Sequence, residues 1–93
     1  MTKVLWTKPA FQDLQSIKDY IARDSVYYSD KFTADIIMAT ERLSQFPRSG
    51  RMVPEIGEEN TREIIYGSYR IMYQIRQEAI YITQVTHGKR NFE

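Results

Sequence analysis

The chain has 93 residues with 13 basic and 12 acidic side chains, a net charge of +1, one histidine and no cysteine. With 42% hydrophobic and 27% charged residues, it suits one globular domain, 1–93, with a single core and modest burial. Disulfide scaffolds and thiolate metal sites are excluded, near-neutral charge disfavours indiscriminate nucleic-acid binding, and no apolar run approaches the ~18 residues that span a bilayer, so no membrane partner and a cytoplasmic location are expected.

Lys3 to Thr7 carries Val4, Leu5 and Trp6, a short strand that joins a later sheet, with Trp6 in or at the edge of the core. Pro9 suits the first turn of a helix. Phe11, Leu14, Ile17 and Ile21 then recur at helical spacing to about Arg23, with Asp13 near the positive end of the helix dipole. Asp24 and Ser25 offer N-cap chemistry, after which Phe32, Ile36, Ala39, Leu43 and Phe46 mark a second, longer helix ending at Pro47. The short connection makes the two an antiparallel hairpin whose apolar stripes need another layer.

Pro47 to Thr61 is rich in turn formers and charge and reads as a long loop, with an extended piece around Met52 and Val53. Arg62 to Arg90 reads as consecutive strands. Alternation puts Tyr69, Ile71, Tyr73 and Ile75 on one face and Arg70, Met72, Gln74 and Arg76 on the other. A hairpin around Gln77 and Glu78 sets Ile75 opposite Ile80, Tyr73 opposite Ile82 and Arg70 opposite Val85, with His87 one step from Arg70 on the polar face. Arg70, His87, Lys89 and Arg90 then converge at one end of the sheet. The expected fold class is α+β: an N-terminal helical hairpin packed on a small, mainly antiparallel β-sheet.

The four glycines are dispersed and the histidine stands alone, so phosphate-binding loops, metal sites and Ser/His/Asp triads find no support, and no cofactor is implied.

In this order and spacing, LWTKPAFQDLQSIKDYIA, FPRSGRMVPE, REIIYGSYRIMYQI and VTHGKR resemble the RelE/ParE superfamily of toxins from bacterial toxin–antitoxin systems over nearly the whole chain. The resemblance implies a growth inhibitor held inactive by a cognate antitoxin, which adds a helix or a strand to its grooves and edges. It also implies one of two targets. RelE-like members enter the ribosome and cut messenger RNA by attack of the 2′-hydroxyl on the adjacent phosphate, whereas ParE-like members lack the nuclease residues and poison DNA gyrase.

RNA cleavage needs a base, an acid and cations around the phosphate. On the nuclease reading Glu55 and His87 supply the base and acid, and Arg70 and Arg90, which match arginines of RelE nucleases, hold the phosphate with help from Arg51 and Lys89. Glu55 after Pro54 is similar to the acid of YoeB-like nucleases. The strand that carries two lysines in RelE nucleases instead reads Arg62-Glu63-Ile64-Ile65, and no late tyrosine follows. On the inhibitor reading Arg51, Arg62, Arg70, His87, Lys89 and Arg90 form the target-binding set. Each residue also has a plainer role: Arg70 pairing with Glu63, His87 contacting backbone, Glu55 as a solvated loop carboxylate, Lys89 and Arg90 as a soluble tail. The near-zero net charge and the missing lysines favour the gyrase inhibitor, with the nuclease as the alternative.

Overall fold

The computed structural model describes residues 2–88. The chain runs β1 (Val4–Trp6), α1 (Lys8–Ala22), α2 (Val26–Glu41), β2 (Arg51–Met52), β3 (Thr61–Tyr66), β4 (Tyr69–Ile75) and β5 (Ile80–His87). The strands form one mixed sheet in the order β1-β5-β4-β3-β2, antiparallel except where β1 lies parallel to β5. The expected α+β class and the helical hairpin over the sheet are thus observed. No helix among the described residues is long and apolar enough to cross a membrane.

The helix ends follow from local chemistry. The Thr7 hydroxyl accepts from the Ala10 N–H and Pro9 lies in the first turn of α1; the Ser25 hydroxyl accepts from the Tyr28 N–H at the start of α2. Ser29, buried on α2, donates its hydroxyl to the Lys18 carbonyl of α1 and joins the two helices where a large side chain would hold them apart. Ala10, Leu14, Phe32, Ile36 and Leu43 face Ile71, Tyr73, Ile80, Ile82 and Val85 in one core, with Trp6, Ile17 and Ile21 packed at its margin.

The apolar rhythm of α2 departs from expectation at its end. The α-helix stops at Glu41 and tightens into a 3-10 turn over Arg42–Ser44. Within α2 Thr40 follows Phe32 and Ile36 at four-residue spacing and is buried in place of Ala39; in the 3-10 turn Leu43 is buried, and Phe46 beyond it is 63% exposed. Phe11 of α1 is likewise half exposed, because Ala10 takes the core position instead.

β3 and β4 are joined by Gly67-Ser68, with Gly67 at a φ of 57°. A positive φ at the first central residue matches a tight turn whose twist follows that of the strands. The β4–β5 register is as expected for Ile75 opposite Ile80 and Tyr73 opposite Ile82, then slips. Met72 pairs with Gln84, so Thr83 is an extra residue in β5, and Arg70 stands opposite Thr86 rather than Val85. The same slip moves His87 opposite Tyr69, onto the alternate side from Arg70, so the expectation that His87 shares Arg70's face is corrected.

Between α2 and β3 the Tyr66 hydroxyl donates to Asp35, which also pairs with Lys31 at 3.0 Å. The Tyr66 bond first, and Lys31 second, hold the Asp35 carboxyl below its ordinary range.

Candidate functional site

The helix-covered face of the sheet is apolar; the opposite face carries a charged cluster built from strand alternation. Arg51 pairs directly with Glu63 across β2 and β3, and Glu63 lies diagonally from Arg70 across β3 and β4, within reach of long side chains. Glu63 therefore lies between two guanidinium groups. Its Oε1 accepts from Arg70 Nε at 2.6 Å and its Oε2 from Arg51 Nε at 2.6 Å, with the carboxylate fully buried.

The segment after β2 closes the cluster. Val53 continues the pairing through an N–H bond to the Thr61 carbonyl, and its own carbonyl accepts from Ile56 and Gly57, forming a turn in which Gly57 has a φ of 72°. The turn brings Glu55 onto Arg70 in a two-pronged pair, Nη1 to Oε2 at 2.9 Å and Nη2 to Oε1 at 2.8 Å. The Arg70 bonds hold the Glu55 carboxyl down at about 2, and Glu55 and Glu63 together push the Arg70 guanidinium above its already high ordinary value. A carboxylate so strongly stabilised in its charged form is a poor proton acceptor at neutral pH.

The loop behind this cluster is pinned from the other side of the sheet. Tyr73 donates its hydroxyl to the Pro47 carbonyl at 2.6 Å and accepts from the Gly50 N–H at 3.0 Å. Arg62 donates to the carbonyls of Glu59, Gly50 and Arg48. A side chain at Gly50 has no room: a Cβ there meets the Glu63 carbonyl and the Tyr73 hydroxyl, each at 2.6 Å.

Of the residues singled out from sequence, the structure brings Glu55, Arg51 and Arg70 together. It places Arg62 opposite Tyr73 on the helix-covered side and spends it on backbone carbonyls. His87 packs edge-on against the Tyr69 ring, 5.6 Å between centroids. From there it borders a groove of about 490 Å3 with Asp13, Ser16, Ile17 and Tyr20 of α1, and a depression of about 230 Å3 with Arg51, Ile65, Tyr69 and Arg70. Lys89 and Arg90 lie outside the described residues. The plainer role considered for Arg70, pairing with Glu63, is observed, and Glu55, an exposed loop carboxylate, pairs with Arg70 as well.

Glu63 is the central residue that sequence reading missed as an organiser. The available signal was an acid in β3 two positions from both Ile65 and Thr61, on the same face as an arginine in the next strand. Asp13 was also misjudged. It serves β5 rather than the helix dipole, accepting from the Val85 N–H at 3.0 Å.

Two helices on one face of a five-stranded mixed sheet give the fold, and the match to a family model makes the chain a type II toxin of the RelE/ParE superfamily. Within it, this chain belongs to the ParE toxin family, whose model, described as the ParE toxin of the type II toxin–antitoxin system parDE, matches residues 4–92. It is similar to Toxin RelE2 of Caulobacter vibrioides, 27% identical over 90 residues that cover 97% of this chain and 99% of that protein. Its fold is similar to a chain of the chromosomal ParDE toxin–antitoxin system from P. aeruginosa, with a TM-score of 0.76 at 21% identity, covering 94% and 96% of the two chains. It is also similar to a chain of the RelBE2 toxin–antitoxin complex from Mycobacterium tuberculosis, with a TM-score of 0.64 at 24% identity over 92% and 96%.

Proposed function

We propose that this toxin acts by binding rather than by cutting, with DNA gyrase as its target, and that a cognate antitoxin neutralises it by covering its grooves and sheet edges. The observation that carries this reading is the closed Arg51–Glu63–Arg70–Glu55 cluster. A ribosome-dependent nuclease needs an arginine fork turned to the scissile phosphate and a carboxylate or imidazole able to take a proton. Here the fork of Arg70 grips Glu55, Glu55 is held at about 2 and is a poor proton acceptor, and His87 borders the depression beside Arg70 from the alternate face of β5. The near-neutral charge agrees, since docking into RNA profits from excess positive charge.

Ribosome-dependent mRNA cleavage is the second reading, favoured by one finding: the similar protein from Caulobacter vibrioides carries a RelE name. Purified chain separates the two. Inhibition of gyrase supercoiling with intact message in a translating extract supports the gyrase reading; cleaved message with unaffected gyrase sinks it. For the antitoxin, a rise in the melting temperature on titration is expected, and an unchanged value speaks against the partnership.

A further inference from the structure

The charged cluster has one buried half and one partly exposed half. Glu63 lies inside β3, fully buried and bonded through both oxygens, so it sets the direction of the Arg70 guanidinium with or without Glu55. Glu55 stands on a turn, its side chain 44% exposed, tethered by the two backbone bonds to Val53. Next to Arg70 opens the depression of about 230 Å3. Its walls include Ile65, half exposed, together with Arg51, Tyr69 and His87.

We infer that Glu55 is an internal stand-in for an external carboxylate, and that the Arg70 fork is a recognition site for an acidic residue with an apolar neighbour, carried by an extended segment of a protein partner. This rests on the reading of the chain as a protein-binding toxin and names the chemistry of one of its contacts. A planar two-oxygen anion reproduces the paired Nη1 and Nη2 bonds that Glu55 now makes. Exchange of one carboxylate for another leaves the charge of the cluster unchanged, so the desolvated Glu63 keeps its surroundings. The apolar wall gives an aliphatic neighbour a surface to cover, which a sugar–phosphate chain does not exploit.

The test uses the full chain, as wild type and as Glu55→Ala, with the Arg70 Nε–H resonance followed by NMR. The probes are N-acetyl-Leu-Glu-amide, its glutamine counterpart and dimethyl phosphate. The glutamate peptide is expected to bind Glu55→Ala at least about tenfold more tightly than wild type, and the glutamine peptide to lose that gain. Should Glu55→Ala not fold, Glu55→Gln, which keeps the shape and drops the charge, is titrated in its place with the same expected order. Equal affinity in wild type and variant, or equal affinity for the two peptides, overturns the inference. Dimethyl phosphate binding more tightly than the glutamate peptide also overturns it, assigning the fork to a nucleic-acid backbone. Gyrase inhibition is measured on wild type in parallel, so inhibition without peptide binding removes the inference alone, and peptide binding without inhibition removes gyrase as the target alone.

Discussion

The two faces of the sheet are held by different physics. On the helix side, Ile36, Leu43, Ile71, Ile80 and Ile82 are wholly buried and their stabilisation is the sum of many small, non-directional contacts. On the other side, Glu63 and Arg70 are buried with charges that survive only because each has partners at hydrogen-bond distance. The apolar face degrades gradually when atoms are removed; the charged face fails when a single partner leaves. A fold needing only stability has no use for the second arrangement, since well-packed apolar residues often match or exceed a buried ion pair.

The largest expected effect breaks this contrast at its centre. Glu63→Ala removes the carboxylate that bonds both Arg70 and Arg51 and is expected to cost about 3–5 kcal/mol, against about 0.5–1.5 kcal/mol for Ile36→Val on the helix side. Denaturant midpoints of the two variants check the ordering. Comparable losses would mean that the second face is wet enough to hydrate Arg70. Next comes Gly50→Ala, whose Cβ would lie 2.6 Å from the Glu63 carbonyl and from the Tyr73 hydroxyl. A loss of about 1–3 kcal/mol by the same measurement is expected for such overpacking. Tyr73→Phe keeps the ring and removes the hydroxyl, leaving the buried Gly50 N–H without its acceptor. Its cost is expected at about 1–3 kcal/mol, with faster amide exchange at Gly50 as the local sign.

How much of this was legible in the sequence differs between the two faces for the same physical reason. The helix side was readable because Leu14, Ile17 and Ile21 repeat every turn and Ile71, Tyr73 and Ile75 every second residue, so periodicity alone points them inward. The helix starts were readable from Pro9 and Ser25, which act locally, whereas the α-helix expected to run to Pro47 stops at Glu41. The charged face depends on non-local facts. Glu63 becomes an organiser only once a strand of two residues delivers Arg51 beside it, and no periodicity can show in two residues. His87 was placed wrongly by one inserted residue, Thr83, whose neighbours Ile82 and Gln84 look no different in sequence from a regular strand. Arg70 stood out in the sequence, but there a pairing residue and a phosphate-binding residue look the same.

The smallest effect is the most specific to the partly exposed half of the cluster. Glu55 has its carboxyl at about 2 in the folded chain against an ordinary 4.5, because Arg70 bonds its charged form. A depressed folded value means that the unfolded chain takes up the proton first. The Glu55 contribution is therefore fully present above about pH 4.5 and is lost as pH falls toward and through about 2. Asp35, lowered by Tyr66 and Lys31, adds a loss of the same sign, so the wild-type profile alone does not isolate Glu55. The difference in melting temperature between wild type and Glu55→Gln does: it should be flat at neutral pH and shrink steadily on acidification below about 4.5. The absence of a difference at neutral pH would show that the turn is held by its backbone bonds to Val53 and not by the Arg70 fork. In that case the charged face would be closed by Glu63 alone, and Glu55 would cover Arg70 without stabilising the turn that carries it.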